Sequence, residues 1–185
     1  MLEGKNVNLR IAEKEDIPLT AEWWNSLDFN GDYDIFPRQT SRAEIEKRFE
    51  KELSDPGPFE IKDFIVEKKD GSKIGWMVHY YMLHPAGKRL EIGYALLPAE
   101  RGKGYCTEAT QLMVDYLFLS RSVARIQAHT DVENLASQRV LEKAGFKREG
   151  IERKVTFVKG ELHDSYLYSI LREEWKEPKI LTKTA

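Results

Sequence analysis

The sequence predicts a mixed α/β domain with one central β-sheet flanked by helices. Patterns typical of strands and of helices alternate along the chain, which favours one sheet with helices packed against it. A length of 185 residues is enough for one domain with a full hydrophobic core. The balance of 41 % apolar and 32 % charged residues is that of a folded, soluble protein. We therefore expect a single domain.

The predicted elements follow the order strand, two helices, three strands, helix, strand, helix, two strands. Alternation of apolar and polar residues predicts a strand at residues 7–11, and the hairpin turn signal of Asp70 and Gly71 lies between strands predicted at 63–67 and 72–81. Further strands are predicted at residues 90–97, 125–130, 152–158 and 162–171. The helices carry capping signals and a 3.6-residue apolar period, and are predicted from after residue 16 to about 27, from 41 to about 53, and at 107–119 and 135–144. Residues 28–38 are rich in Asp, Asn, Gly and Pro, which predicts a loop.

Composition excludes several classes of protein. The net charge of -2 argues against a general nucleic-acid binder. The single cysteine, Cys106, can form neither an intrachain disulfide nor a Cys-rich zinc site. No metal is expected, because no metal-ligand spacing links the four histidines, His79, His84, His129 and His163. The chain shows no signal-peptide pattern and no long apolar run, so we expect a cytoplasmic protein without a membrane segment.

A glycine-containing segment between a predicted strand and a predicted helix has the features of a phosphate site. Gly102 and Gly104 allow a ligand to approach the backbone, and a helix N-terminus offers unpaired N–H groups. Arg101 and Lys103 add positive charge. A strand-to-helix turn with solvated basic residues is the competing interpretation, because short glycine motifs recur by chance.

A second segment completes the pattern. Asn134 and Ser137 open the next helix, and Gly145 and Phe146 follow its end. Together with the stretch 101–106, these residues resemble the GNAT N-acetyltransferase superfamily. The ribosomal-protein N-terminal acetyltransferase branch is the closer resemblance, carried by the phrases at residues 2–4, 8–10, 92–94 and 134–137.

The resemblance covers residues 1 to about 175 and implies a GNAT domain over residues 1–176, followed by a polar tail at 177–185. It implies acetyl-CoA as co-substrate, and it also suggests a homodimer. The residues expected to bind acetyl-CoA are Leu96, Leu97, Arg101, Gly102, Lys103, Gly104, Tyr105, Cys106, Thr107, Asn134 and Ser137.

Two positions depart from the family pattern. Cys106 stands where Gly or Ala is usual, and its small side chain should be tolerated. Leu141 stands where many members carry a tyrosine that protonates the leaving thiolate. Ser137 lies one turn earlier on the same helical face, and we expect it to take that role, as the resemblance to the ribosomal branch also implies.

The remaining catalytic expectations concern the strand before the phosphate segment and the loop at residues 28–38. Glu91 points opposite to its apolar neighbours and is the candidate general base, with an ordinary surface glutamate as the equal alternative. Gly93 marks either a bulge that frees a carbonyl-polarising N–H or a glycine that admits a bulky neighbour. For the acceptor, the candidates are Asp28, Asp32, Asp34 and Tyr80. Three carboxylates would favour a cationic amine, whereas a merely polar loop is the competing interpretation.

Three functions remain open on the sequence. The first is transfer of an acetyl group to a protein or peptide N-terminus, for example of a ribosomal protein. The second is acetylation of a small amine such as a polyamine, an amino acid or an antibiotic. The third is a catalytically silent acetyl-CoA-binding module. Fold-level likeness cannot choose among acceptors.

Overall fold

A mixed eight-stranded sheet organises the chain, as a computed structural model of residues 1–32, 39–54, 60–84 and 87–180 describes it. The strands are β1 (Leu2–Glu3), β2 (Val7–Ile11), β3 (Lys62–Lys68), β4 (Lys73–His84), β5 (Gly87–Leu96), β6 (Arg125–Asp131), β7 (Lys147–Val158) and β8 (Glu161–Leu171). The helices are α1 (Ile17–Asn25), α2 (Leu27–Asn30), α3 (Arg42–Ser54), α4 (Tyr105–Ser120) and α5 (Leu135–Lys143). The predicted fold class is confirmed.

The spatial order of the strands is β1-β2-β3-β4-β5-β6-β8-β7. Neighbouring strands are antiparallel except for β5 and β6, which run parallel. Parallel neighbours require a crossover connection, and α4 supplies it here. The phosphate segment predicted from the sequence therefore lies where β5 passes into this crossover helix.

The two faces of the sheet carry different helices. Leu90, Ile92 and Leu96 of β5 pack in one apolar core with Leu112 of α4 and Leu141 of α5. On the other face a smaller core contains Trp23 of α1, Phe29 of α2 and Ile65 of β3. Because side chains alternate along a strand, Glu91 lies on the α1 and α2 face, opposite to Leu90 and Ile92.

Strands β5 and β6 pair only briefly. The paired residues are Leu90 with Ile126 and Glu91 with Gln127. Both strands continue beyond this pair, β5 to Leu96 and β6 to Asp131, so the sheet opens between them. Alternate N–H groups of β5 point towards this opening rather than towards β4. The opening adjoins the N-terminus of α4.

Gly93 does not mark a bulge, so that alternative is wrong. The register between β4 and β5 runs without interruption from Gly75 opposite Leu96 to His84 opposite Gly87. A side chain at Gly93 would come within 3.2 Å of Val78 Cγ1, which favours the other interpretation, a glycine that admits a bulky neighbour. The opening beside β6 exposes N–H groups of β5 without a bulge.

Most other differences from the predicted elements are short. The two-residue strand β1 was not predicted, and α2 occupies the beginning of the predicted loop at 28–38. Strand β7 begins at Lys147, five residues earlier than the predicted 152. The capping box of α3 is confirmed, since Ser41 N–H donates to Glu44 Oε2 at 2.7 Å and Glu44 N–H donates to Ser41 Oγ at 3.3 Å.

The first part of the predicted polar tail lies against α4. The backbone N–H groups of Lys179 and Ile180 donate to Asp115 Oδ2, and Trp175 Nε1 donates to Asp115 Oδ1 at 2.7 Å. Ile180 also packs on the main core. Residues 181–185 lie outside the described residues. Within the described ranges, no helix combines the length and apolar character that a bilayer crossing requires.

Candidate active site

The segment before α4 forms an open cradle of backbone groups. Gly102 and Gly104 have φ angles of +75° and +85°, which glycine adopts without strain. A Cβ atom at either position would meet no other atom within 4 Å, so the space above them is open. The first hydrogen bond of α4 runs from Glu108 N–H to Gly104 O at 3.1 Å. The N–H groups of Tyr105, Cys106 and Thr107 therefore precede it and can bind an anion.

The two basic side chains of this segment are engaged with the protein. Arg101 Nε donates to Leu96 O at 3.0 Å, and Arg101 Nη2 donates to Asp28 O at 2.9 Å and to Phe29 O at 2.8 Å. Lys103 Nζ lies 3.0 Å from Glu100 Oε2. Arg101 thus joins the cradle to α2 on the other face of the sheet, so it supplies a mechanical link as well as a charge.

Three further residues predicted to bind acetyl-CoA lie at the rim of the opening. Leu96 is buried in the core. Leu97 N–H donates to Ile74 O at 2.9 Å. Asn134 caps α5, because its Oδ1 accepts from Ser137 N–H at 3.0 Å. Asn134 therefore positions the first turn of α5, which carries Ser137.

Ser137 meets a tyrosine from β5 across the opening. The hydroxyl oxygen of Tyr94 lies 3.0 Å from Ser137 Oγ and 3.3 Å from Ser137 O, so its single proton can be donated to either oxygen. Burial raises the pKa of Tyr94, so its phenol is neutral. Burial also raises the pKa of the Cys106 thiol to about 12, which leaves it protonated and unreactive. Leu141 is fully buried and offers no hydroxyl. Two hydroxyls thus occupy the α4 and α5 side of the opening.

Glu91 lies on the opposite side of the opening and is held by two donors and a ring nitrogen of His129. Tyr80 Oη donates to Glu91 Oε1 at 2.9 Å, and Gln127 Nε2 donates to Glu91 Oε2 at 2.9 Å. His129 Nδ1 lies 3.0 Å from Glu91 Oε1. Burial raises the pKa of Glu91, but these hydrogen bonds outweigh burial and lower it below its usual value. Glu91 is therefore a buried, ionised carboxylate.

His129 connects Glu91 with the outer strand of the sheet. Its Nε2 atom lies 3.3 Å from Glu152 Oε2 on β7. The hydrogen bond to Glu91 raises the pKa of His129, and this effect exceeds the opposing effect of burial. The imidazole therefore sits between two carboxylates, one buried and one exposed.

The four residues predicted to contact the acceptor have different surroundings. Asp28 contributes its carbonyl to Arg101, and Asp32 pairs with Lys159 at 2.5 Å. Lys159 belongs to the turn between β7 and β8, so this ion pair joins that hairpin to the segment after α2. Asp34 lies outside the described residues. Tyr80, the fourth acceptor candidate, donates a hydrogen bond to Glu91.

A second carboxylate–histidine pair lies nearby on β6 and β8. His163 Nδ1 lies 2.7 Å from Asp131 Oδ2, and Glu133 N–H donates to Asp131 Oδ1 at 2.8 Å. Ligand atoms of Asp131, Glu133 and His163 lie within 4.8 Å of one another. Both carboxylate oxygens of Asp131 already have hydrogen-bond partners in the protein, and these bonds account for the close approach of the three side chains.

Sequence reasoning missed the side chains of Tyr94, Gln127 and His129. Gln127 and His129 alternate on β6, which is a signal that they share one face of the sheet. That face becomes the Glu91 face only through the parallel register between β5 and β6, which no local pattern gives.

Comparisons with known proteins agree with this geometry. Residues 6–147 match the family described as acetyltransferase (GNAT) domain. The uncharacterized N-acetyltransferase p20 of Bacillus licheniformis is 30 % identical over 94 % of this chain and 97 % of its own length. YdaF of Bacillus subtilis, named provisionally as a ribosomal N-acetyltransferase, is 34 % identical over 60 % of each chain. The crystal structure of spermidine N-acetyltransferase from Vibrio cholerae with CoA and spermine has a TM-score of 0.76 at 22 % identity, over 91 % of this chain and 97 % of that one.

Proposed function

Because this chain belongs to the GNAT acetyltransferase family, an N-acetyltransferase family that uses acetyl-CoA, we propose that it acetylates the α-amino group of a protein or peptide N-terminus. Acetyl-CoA supplies the thioester that the amine attacks. The cradle at Gly102 and Gly104 and the first turn of α4 fit its pyrophosphate, because free N–H groups and open space coincide there.

The lowered pKa of Glu91 is the observation that favours an α-amino acceptor. A carboxylate whose pKa lies below its usual value is a weak base, so it suits an amine that loses its proton easily. An α-amino group has a pKa of about 8, so about one molecule in ten is neutral at pH 7. A lysine-type amine with a pKa of about 10.4 is neutral in only about one molecule in 2,500. The α-amine thus makes the smaller demand on Glu91.

The two sides of the opening divide the proton transfers. In this proposal Glu91 takes a proton from the acceptor ammonium, directly or through water, and leaves a neutral amine. Ser137 donates a hydrogen bond to the departing sulfur on the other side. When Tyr94 donates its proton to Ser137 Oγ, the proton of the serine hydroxyl is free to point at that sulfur. The reaction is a direct attack with both substrates bound.

A polyamine is the second candidate acceptor. Glu152 lies near Glu91 through His129, and α2 carries Asp28, so the acceptor side has carboxylates that attract cations. A fold neighbour is a spermidine N-acetyltransferase that was crystallised with spermine. The ion pair of Asp32 with Lys159 removes part of this negative charge, which favours the first candidate.

A panel of acceptors tests the proposal. Thiol release from acetyl-CoA would be measured with peptides that begin with Ala or Ser, with the same peptides acetylated at the N-terminus but carrying an internal lysine, and with spermidine. We expect turnover with the free N-termini. Turnover with spermidine alone would transfer the proposal to polyamines, and binding of acetyl-CoA without any turnover would favour the silent module.

The base is tested with Glu91→Gln, which keeps the shape and removes the basicity. We expect the rate at neutral pH to fall about 100-fold and the loss to shrink as pH rises towards the pKa of the amine. Glu149→Gln is the matched control, because Glu149 is also hydrogen-bonded, to Arg125 and Ser169, but lies on β7 outside the opening. An equal loss at every pH would make Glu91 a binding residue instead.

A further inference from the structure

A buried base must return its proton to water after each turnover. Only 6 % of Glu91 is exposed, so water has little direct access to its protonated carboxyl group. If the acceptor occupies the remaining access, the proton has to leave through the protein. The neighbours of Glu91 therefore decide how quickly the base is regenerated.

Of the three described side chains that contact the carboxylate of Glu91, only one titrates near neutral pH. The Gln127 amide neither gains nor loses a proton. Burial raises the pKa of Tyr80 far above neutrality, so its phenol stays protonated. His129 is an imidazole, whose ordinary pKa lies close to 6.5. Within the described structure, His129 is the group suited to take the proton from Glu91.

The second nitrogen of His129 leads outward. Its Nε2 atom lies 3.3 Å from Glu152 Oε2, and the side chain of Glu152 is 46 % exposed. The distances along the route are 3.0 Å from Glu91 to Nδ1 and 3.3 Å from Nε2 to Glu152. Leu167 stands opposite His129 on β8 and adds no charge. Among the described residues, Glu91 and Glu152 are thus the charged groups in contact with the imidazole, and Gln127 and Tyr80 lie beyond Glu91.

We propose that His129 carries the proton from Glu91 to Glu152 and so to solvent, an inference that rests on the proposed base role of Glu91. Protonated Glu91 gives its proton to Nδ1 of the neutral imidazole and becomes a carboxylate again. The imidazolium then loses its Nε2 proton to Glu152, which releases it to water. The ring is then the Nδ1–H tautomer, and proton exchange with water, one proton lost from Nδ1 and one gained at Nε2, restores the starting tautomer with no net gain or loss of protons. His129 acts through Glu91 and is a positioning residue.

The pH dependence of the relay follows from the same contacts. The hydrogen bond to Glu91 raises the pKa of His129, so the imidazolium forms at higher pH than in a free histidine. An imidazolium that already holds its proton cannot accept another from Glu91. We expect kcat to fall on the acid side as His129 becomes protonated, while the binding of acetyl-CoA is unaffected.

The chain supplies a matched control histidine. His163 also directs Nδ1 at a buried carboxylate, that of Asp131, and both His129 and His163 have 23 % exposed side chains. We expect His129→Ala to lower kcat about tenfold or more, the lower part of the range for proton-transfer effects, with an unchanged KM for acetyl-CoA. His163→Ala should leave kcat within about twofold of the unmodified chain.

Chemical rescue separates a relay from a structural role. The acceptor is whichever of the alanyl peptide, the seryl peptide or spermidine the unmodified chain turns over. Added imidazole should restore kcat in His129→Ala, and substituted imidazoles should restore it in the order of their pKa values. The Glu91→Gln, His129→Ala double variant serves as the blank for direct attack of imidazole on the thioester. A loss of kcat that no imidazole restores in a folded variant would overturn the relay.

A second measurement needs no turnover. NMR titration of the His129 imidazole should give a pKa above that of a free histidine in the unmodified chain, and a lower pKa in Glu91→Gln. The two proposals fail separately. No rate loss in Glu91→Gln would remove the base and the relay together, whereas a loss in Glu91→Gln with none in His129→Ala would remove the relay alone.

Discussion

The buried histidine of β4 should make the stability of this protein depend on pH. His79 is fully buried between the rings of Phe64 and Tyr116, at centroid distances of 6.0 and 6.1 Å. Neither ring nitrogen has a hydrogen-bond partner among the described residues. Burial lowers the pKa of His79 to about 4, and Arg121 lowers it further while Glu60 opposes that effect. The folded state therefore holds a neutral imidazole.

The magnitude follows from proton linkage. An unfolded chain has a histidine pKa of about 6.5, so it binds more protons than the folded state between pH 6.5 and pH 4. Because folding lowers the pKa of His79, the contribution of its neutral imidazole to stability is fully present above pH 6.5 and is lost as pH falls through this window. At pH 5 the loss due to His79 is about 2 kcal/mol, from about 1.5 units of differential titration at about 1.4 kcal/mol each.

His79→Phe removes the titration and keeps an aromatic ring. Urea unfolding at pH 7.5 and at pH 5 gives the change in free energy of unfolding for each chain. We expect the unmodified chain to lose about 2 kcal/mol more than the variant, because the contributions of all other groups cancel in this difference. His79→Leu is the second variant in case the larger ring is not accommodated. An equal pH dependence in all three chains would refute a neutral buried His79.

Three further predictions concern the active site. Gly104→Val should weaken acetyl-CoA binding, measured by calorimetry, at least tenfold, about 1.4 kcal/mol, because the valine strains a φ of +85° and fills the cradle. Gly71→Val, at a φ of +84° in the turn between β3 and β4, is the control and should leave binding unchanged. Ser137→Ala should lower kcat more than it raises the KM for acetyl-CoA, and unchanged turnover would exclude it as the thiolate partner. Arg101→Met should raise the KM of the acceptor about tenfold, because it removes the hydrogen bonds that hold α2, whereas Lys103→Met should not. If Arg101→Met raised the KM values of acetyl-CoA and of the acceptor equally, the idea that Arg101 connects the cradle to the acceptor side would be wrong.

Features set by neighbours in the sequence were predictable. The capping box of Ser41 and Glu44, the Asn134 cap and the turn at Asp70 and Gly71 all appear as predicted. Each depends on residues no more than four positions apart, so the local pattern contains the whole interaction. The cradle before α4 belongs to the same class, because its glycines and the helix start are adjacent.

Features set by distant contacts were not predictable. The pairing of Glu91 with Gln127, 36 positions away, places both side chains together and is visible in no local pattern. The side chain of Arg101 was expected to add charge for a phosphate, but it binds carbonyl groups more than 70 positions away. Such partners come together only when β5, α2 and the cradle are assembled. The sequence shows which residue types are present but not which atoms they meet.

The single parallel pair of strands explains why the chemistry divides between two faces. Among the described strands, β5 and β6 part just after the pair of Glu91 with Gln127, and the sheet opens there. Alternation along β5 sends Glu91 to one face and Tyr94, three residues later, to the other. A thioester in this opening would therefore have a carboxylate on the side of the acceptor and two hydroxyls on the side of the sulfur. In the proposed reaction, the proton leaving the amine and the proton stabilising the thiolate would travel by separate routes, so His129 would change the basicity of Glu91 without affecting Ser137.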